Sequence, residues 1–404
     1  MKISQKKITY RLAILFALLS IQGMLAACGQ EPETEVGEPQ IISSETAENS
    51  VEDSVADAPE TTLSAAEEME EELDAEEELD AMQEMFGKDC ISDQTFEVEL
   101  SEYDQKVYFV PFAPSSENPQ FRVQLIQNGQ VLKELHDYVP EGLEGEKFRS
   151  LDAVAFSDVD FDGNTDILLL ETYGDTRFAA VYCGDRDEWE GWDDGVRVSF
   201  YVHDVLSESL SDQVNPLTVS EIFSFLTDGK KNGEFVSYQE AYEAVSQVYD
   251  LNGNRMEYNL IYFDEDDTPE LVAGVSGYWM SMFTYDEGQV YCLMNDWGYG
   301  AFGNTGYAYV PGKNSLRNYD ADMGANNFYT TYMAVSEQHT MELVAAIKYE
   351  NYLEDENEIT GEQCIVYVNG VEVPEDEDID YGVGEYEYID TILSRQELLE
   401  KLGR

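Results

Sequence analysis

Asp158 to Asp166 reads DVDFDGNTD, the stretch whose residue types and spacing specify a chemistry most closely. Side-chain oxygens recur at Asp158, Asp160, Asp162 and Asp166, with Asn164 between the last two and Gly163 where the chain must turn sharply. Acids and amides at alternate positions, closed by glycine, let a short loop wrap a hard cation, because Ca²⁺ takes six to eight oxygen ligands. Without an ion, carboxylates this close would repel one another. Mg²⁺ fits less well, since it demands a tight octahedron and keeps several waters. An EF-hand also opens D-x-D-x-D-G, but its twelfth position must be a bidentate Glu, and here that position is Leu169. The alternative is a solvated acidic turn between two strands, since Asp-Gly is a common hairpin signal.

The flanks are short apolar runs, Leu151 to Phe156 (LDAVAF) and Ile167 to Tyr173 (ILLLETY), whose β-branched and aromatic residues predict buried strands. A strand, an acidic loop whose last ligand stands at its ninth position, and a second strand together resemble the calcium loop of FG-GAP and VCBS repeats. Those are propeller-type β repeats of extracellular proteins, integrin α-subunits among them. The resemblance implies calcium ligands on the side chains of Asp158, Asp160, Asp162 and Asp166, with the backbone carbonyl of Asn164 as a fifth. A second stretch, Tyr262 to Glu270, is similar, with Asp264, Asp266 and Glu270 as its ligands and the apolar run Leu271 to Val275 behind it. Tyr262 there replaces the first ligand and Asp267 the turning glycine. A plain strand–turn–strand is the equal alternative for this loop. Its D-x-x-P-E-L ending resembles loops of surface lipoproteins of gut Firmicutes.

The elements that carry these loops follow a leader and a tether. Lys2, Lys6, Lys7 and Arg11 precede the apolar run Leu12 to Leu19, as in a secretion signal. Leu25-Ala26-Ala27-Cys28 resembles the lipobox of bacterial lipoproteins, which implies cleavage after Ala27 and lipidation of Cys28. The expectation is a signal peptide over 1–27 and an extracytoplasmic chain anchored to the bacterial cell membrane through lipid at Cys28. Residues 28–89 are rich in Glu, Ala, Ser, Thr and Pro, a composition too poor in apolar surface to offset its conformational entropy. They predict a disordered acidic tether of roughly 40–45 Å reach. Glu67 to Asp80 is either a transient docking helix, with Met82 and Phe86 continuing its apolar side, or a charged spacer. The chain of 404 residues carries 85 acidic and 22 basic residues, a net charge of −63. That excludes a nucleic-acid binder, which needs Lys/Arg clusters to neutralise phosphates, and disfavours adsorption on anionic lipid.

Tyr- and Val-rich runs broken by Gly and Asp predict a mainly β fold with a few helices, in two β-rich lobes of antiparallel meanders with a propeller-blade likeness. The first lobe, 90–228, carries the calcium loop, and Asn128-Gly129 predicts a hairpin turn within it. The second, 234–404, carries the degenerate loop. Thr218-x-x-Glu221 and Ser237-x-x-Glu240 open two helices near the boundary, and Ser394-x-x-Glu397 opens a last one.

No catalytic constellation stands out. His136, His203 and His339 are scattered, and no G-x-S-x-G elbow is present. A carboxylate pair acting on glycans or peptides is the alternative, because such acids are defined by separation in space. Cys90, Cys183, Cys292 and Cys364 fit either two disulfides or buried thiols. Trp189 and Trp192, and Trp297 and Tyr299 in a glycine-rich stretch, are candidate ligand-binding aromatics, or rings that fill the core. Lys313 and Arg317 form a basic spot suited to salt bridging or to a contact. The expected function is a calcium-stabilised surface module that binds an extracellular protein or glycan and is not an enzyme. A structural envelope protein is a further alternative.

Overall fold

A computed structural model describes residues 81–189, 195–251, 255–301, 303–322, 327–350, 365–374 and 381–404. The secretion signal, Cys28, most of the tether, Trp192 and Cys364 lie outside the described residues, as does the side chain of Trp189. Residues 81–86, expected within the tether, are helical, and Phe86 packs 5.3 Å from the Tyr108 ring.

The fold is mainly β, as the composition predicts, and none of the described sheets closes on itself. Its antiparallel sheets follow chain order. Sheet A is β1 (Phe96–Val98), β2 (Val107–Phe112), β3 (Arg122–Gln127) and β4 (Gln130–His136). Asn128 and Gly129 turn β3 into β4 at φ 51° and 74°, the left-handed pair that a two-residue hairpin requires. Sheet B is β5 (Phe148–Ser157), β6 (Asp166–Tyr173), β7 (Thr176–Trp189) and β8 (Gly195–Val202). Sheet C is β9 (Glu257–Ile261), β10 (Glu270–Val275), β11 (Trp279–Asp286) and β12 (Gln289–Gly298). Sheet D runs from β13 (Gly306–Tyr309), β14 (Leu316–Ala321), β15 (Phe328–Val335) and β16 (Met341–Glu350) to β17 (Ile365–Val368) and β18 (Val371–Val373). The short β19 (Glu387–Tyr388) pairs with β13 on its other edge.

Between sheets B and C the chain forms helices α1 (Asp204–Gln213), α2 (Val219–Thr227) and α3 (Tyr238–Asp250), and it ends in α4 (Arg395–Leu402). Thr218, Ser237 and Ser394 cap α2, α3 and α4 as expected, and Ser394 with Glu397 completes a reciprocal capping box. Helix α1 was not expected. Its N-cap is His203, whose Nδ1 accepts from the Leu206 N–H, and its sequence offers only Leu206 and Leu210 as large buried side chains.

Burial explains why the central strands read as unbroken apolar runs. On β6, Ile167 and Leu169 join the core between sheets A and B, while Leu168 and Leu170 join the core shared with the helices and sheet C. A strand covered on both faces has no use for alternation. On β10, Leu271 and Ala273 face that same shared core, and Val272 faces the core between sheets C and D. The core that joins sheets B and C therefore crosses the expected lobe boundary near residues 228–234, with α2 on one side of it and α3 on the other.

Candidate metal centre

The acidic stretch connects β5 to β6, and the ladder closes beneath it with Ser157 paired to Asp166. Its alternation has a physical basis. Val159 and Phe161 turn into the core at 4% and 2% exposure, which leaves Asp158, Asp160 and Asp162 to converge on the other side. Phe161 adopts φ 63° and Gly163 φ 92°, so the chain doubles back within a few residues.

The carboxylates organise the loop through its own backbone. Asp158 Oδ2 accepts from Gly163 N (3.1 Å), Asp160 Oδ1 from Asp162 N (3.2 Å), and Asp162 Oδ1 from Asn164 N (2.8 Å). Asp166 is fully buried; its Oδ2 accepts from Val159 N (2.7 Å) and its Oδ1 from Gly184 N (3.1 Å). One ligand atom each from Asp158, Asp160 and Asp162 lie within 4.8 Å of one another, and so do those of Asp160, Asp166 and Cys183. The two sets share Asp160. Asp158 Oδ1 is buried without a hydrogen-bond partner, as an oxygen reserved for a cation would be.

Burial, then mutual repulsion, holds Asp158, Asp160 and Asp166 well above the ordinary carboxylate range, and burial raises Asp162 as well. Burial and the neighbouring acids likewise push the Cys183 thiol up. A divalent cation reverses this logic, because its charge stabilises the anions that otherwise oppose one another. The oxygen-rich set fits Ca²⁺, and the residues that would hold it are Asp158, Asp160, Asp162 and Asp166. The Asn164 side chain does a different job: its Nδ2 donates to Asp162 Oδ2 (3.0 Å) and steadies that carboxylate.

Neighbours from other sheets lock the loop. Glu102, from the β1–β2 connection and 1% exposed, accepts from Thr165 N (2.6 Å). Asn295 of β12 donates to Asp162 Oδ2 (3.2 Å). Gly184 leaves room for the Glu102–Thr165 contact, since a Cβ there would meet Glu102 Oε1 and lie 2.6 Å from the Thr165 carbonyl. Gly184→Ala is therefore expected to destabilise the protein by about 1–3 kcal/mol through overpacking. Urea midpoints of the two proteins check it, and an unchanged midpoint would show that the loop yields freely.

The second acidic loop repeats three of the hydrogen bonds of the first. Ile261 pairs with Glu270 beneath it. Glu270 Oε2 accepts from Phe263 N (2.7 Å), Asp264 Oδ1 from Asp266 N (3.0 Å), and Asp266 Oδ1 from Thr268 N (2.7 Å). Asp264, Asp266 and Glu270 place ligand atoms within 4.8 Å of one another. Tyr262, in place of Asp158, is 55% exposed, so this loop lacks the equivalent acid. Burial pushes the Glu270 carboxyl up to about 8. The turn at 310–315 covers the loop: Gly312 N donates to Tyr262 O (2.9 Å) and Lys313 Nζ lies 3.0 Å from Glu265. Lys313 thus makes a salt bridge, whereas Arg317 stacks on Tyr319 (4.3 Å) and Tyr386 (4.0 Å).

The candidate binding aromatics have other surroundings. Trp297 is 5% exposed and packs 5.5 Å from Tyr307 in the core between sheets C and D. Tyr299 is half-buried, and its hydroxyl accepts from Gly277 N (2.9 Å). These two rings do not form a flat exposed patch. Cys90, Cys183 and Cys292 are free thiols. Sequence reasoning missed Cys183, Glu102 and Asn295 as neighbours of the loop, because only strand register and sheet stacking bring them there. No protein-family model matches this chain, and no curated protein is found to match it.

Proposed function

We propose that the chain is a bacterial cell-surface lipoprotein, anchored through Cys28, whose β-rich ectodomain is braced by structural calcium and binds an extracellular protein or glycan. The observation that carries the calcium part is the convergence of Asp158, Asp160 and Asp162, with Asp160 also grouped with Asp166, and a buried Asp158 oxygen that has no hydrogen-bond partner among the described residues. The three hydrogen bonds that the second loop shares with the first support a duplicated calcium-loop unit, with fewer ligands and weaker binding at Asp264, Asp266 and Glu270. The display part rests on the lipobox at Leu25 to Cys28 and the acidic segment behind it. Calcium here ties two strand ends together and takes no part in a reaction.

The test is thermal and urea unfolding of the purified protein in EDTA and in millimolar calcium, beside Asp160→Ala. At a calcium concentration about a hundredfold above Kd, linkage gives a stabilisation of roughly 2.7 kcal/mol. That gain is expected to vanish in Asp160→Ala. Wild-type protein that shows no shift, together with no heat of calcium binding, would sink the reading. Glycan and peptide arrays probed with calcium-loaded protein test the binding part.

A further inference from the structure

The core between sheets A and B encloses an acid with no partner. Glu171 lies on β6 at 0% exposure, and neither of its carboxyl oxygens has a hydrogen-bond partner among the described residues. Its neighbours at strand spacing, Leu169 and Tyr173, belong to this core, so the period of two turns Glu171 the same way. Leu151 and Phe178, paired with Glu171 on the two flanking strands, belong to the same core.

The titratable groups that interact with it are Asp137, Asp152, Tyr173 and Tyr182, with Tyr138 beside Tyr182 and Arg177 beside Asp152, and they are not equivalent. Asp152 is well satisfied: it accepts from Ser150 Oγ (2.6 Å) and Thr172 Oγ1 (2.7 Å), and Arg177 Nε stands 3.1 Å away. Asp137 has the Tyr173 hydroxyl on Oδ2, while its Oδ1 is buried and unpartnered. Tyr182 and Tyr138 spend their hydroxyls on the carbonyls of His136 and Asp204. Glu171 alone has neither a cation nor a donor.

An ionised carboxylate left this way in an apolar core is too costly to persist, and such a group neutralises instead. Where acids share a site, the proton settles on the one whose anion is least supported. Burial raises Glu171 well above the ordinary range, and the charges of Asp137 and Asp152 add to it. Among the described residues these acids do not bring three ligand atoms within 4.8 Å of one another, so a proton suits the site better than a metal ion.

We propose that Glu171 is a proton-binding site, held as the neutral acid in the folded protein, so that one proton is a structural ligand of the packing between sheets A and B. The sign follows from linkage. Because the folded protein holds this proton more tightly than the unfolded chain, the contribution is fully present below the ordinary Glu value of about 4.3. It is lost as pH rises from there toward the folded value, at up to about tenfold in the folding equilibrium constant per pH unit.

The experiment compares urea unfolding of wild type and Glu171→Gln from about pH 5 to about pH 9 in saturating calcium, since Gln is neutral at every pH. The folding constant of wild type is expected to fall with pH relative to that of the variant. Infrared spectra of protein carrying ¹³C-labelled glutamate are expected to show a carboxylic-acid carbonyl band at neutral pH that Glu171→Gln removes. Parallel pH profiles would overturn the proposal, as would a spectrum unchanged by the substitution. A requirement for sodium or potassium at high pH would also overturn it, by putting a cation in the proton's place. Should Glu171→Gln fail to fold, the glutamate spectrum of Glu270→Gln decides, because burial pushes the Glu270 carboxyl up to about 8 and it would give the same band: no acid carbonyl band at neutral pH in that variant overturns the inference.

Discussion

Asp166→Ala is expected to lower the unfolding free energy by roughly 3–5 kcal/mol in saturating calcium, and by clearly less in EDTA. The first figure combines two losses. Val159 N–H and Gly184 N–H, which now donate to the two Asp166 oxygens at 2.7 and 3.1 Å, would be left as buried donors without acceptors. Each such group costs about 1–3 kcal/mol. The loop also gives up a ligand, and with it part of the linkage energy of the ion. In EDTA a compensating effect enters, since removing Asp166 relieves the repulsion between its carboxylate and those of Asp162, Asp158 and Asp160. The gap between the two conditions is the diagnostic. Urea titrations followed by circular dichroism measure both, and equal losses would mean that Asp166 scaffolds the loop without touching an ion. Asp158→Ala forms the contrast. Its Oδ1 has no hydrogen-bond partner among the described residues and its Oδ2 accepts from Gly163 N, so most of its cost is expected to appear with calcium present.

Local pattern made much of this architecture legible. The expected runs at Leu151–Phe156 and Ile167–Tyr173 are β5 and β6, and the caps at Thr218, Ser237 and Ser394 stand where hydroxyl and acid spacing places them. Both acidic loops could be read because their internal hydrogen bonds link residues only two to seven apart. What escaped is what tertiary register decides. Cys183 stands near Asp166 because Ile167 pairs with Tyr182 on β7, and no spacing rule joins residues that far apart. Glu102 and Asn295 arrive from different sheets, and Glu171 reads as an ordinary polar strand position until both faces of β6 prove to be covered. Trp297, set among glycines, suggests a flexible surface loop, but as a residue of β12 its ring points between sheets C and D. Helix α1 was hidden by a histidine cap and a sequence of mostly polar residues.

The loops also stand where sheets meet. The first receives Glu102 from the sheet A side and Asn295 from sheet C, and the second is roofed by the turn that leads into β14 of sheet D. An ion that stiffens either loop therefore acts on contacts between sheets as well as within one. Since buried contacts are bistable rather than continuously deformable, such stiffening is felt across the shared core.

Tyr242 tests how far that sharing extends. Its ring is fully buried on α3 in the core common to sheets B and C, and its hydroxyl donates to Pro269 O (2.7 Å) in the second acidic loop. Tyr242→Ala is expected to cost roughly 3–5 kcal/mol through the cavity it leaves. Tyr242→Phe, which removes only the hydroxyl, is expected to cost about 1 kcal/mol. The size of the effect matters less than where it is felt. If the core runs unbroken from sheet B to sheet C, Tyr242→Ala lowers one transition seen alike by far-ultraviolet circular dichroism and, with Trp189 and Trp192 replaced by Phe, by the fluorescence of Trp279 and Trp297 in sheet C. Calcium bound at Asp158 to Asp166 in sheet B then raises the midpoint that those sheet C tryptophans report. Separate transitions, with calcium moving only one of them, would mean instead that the chain folds as two units divided near Asp228, and that the core between them is a docking surface formed late.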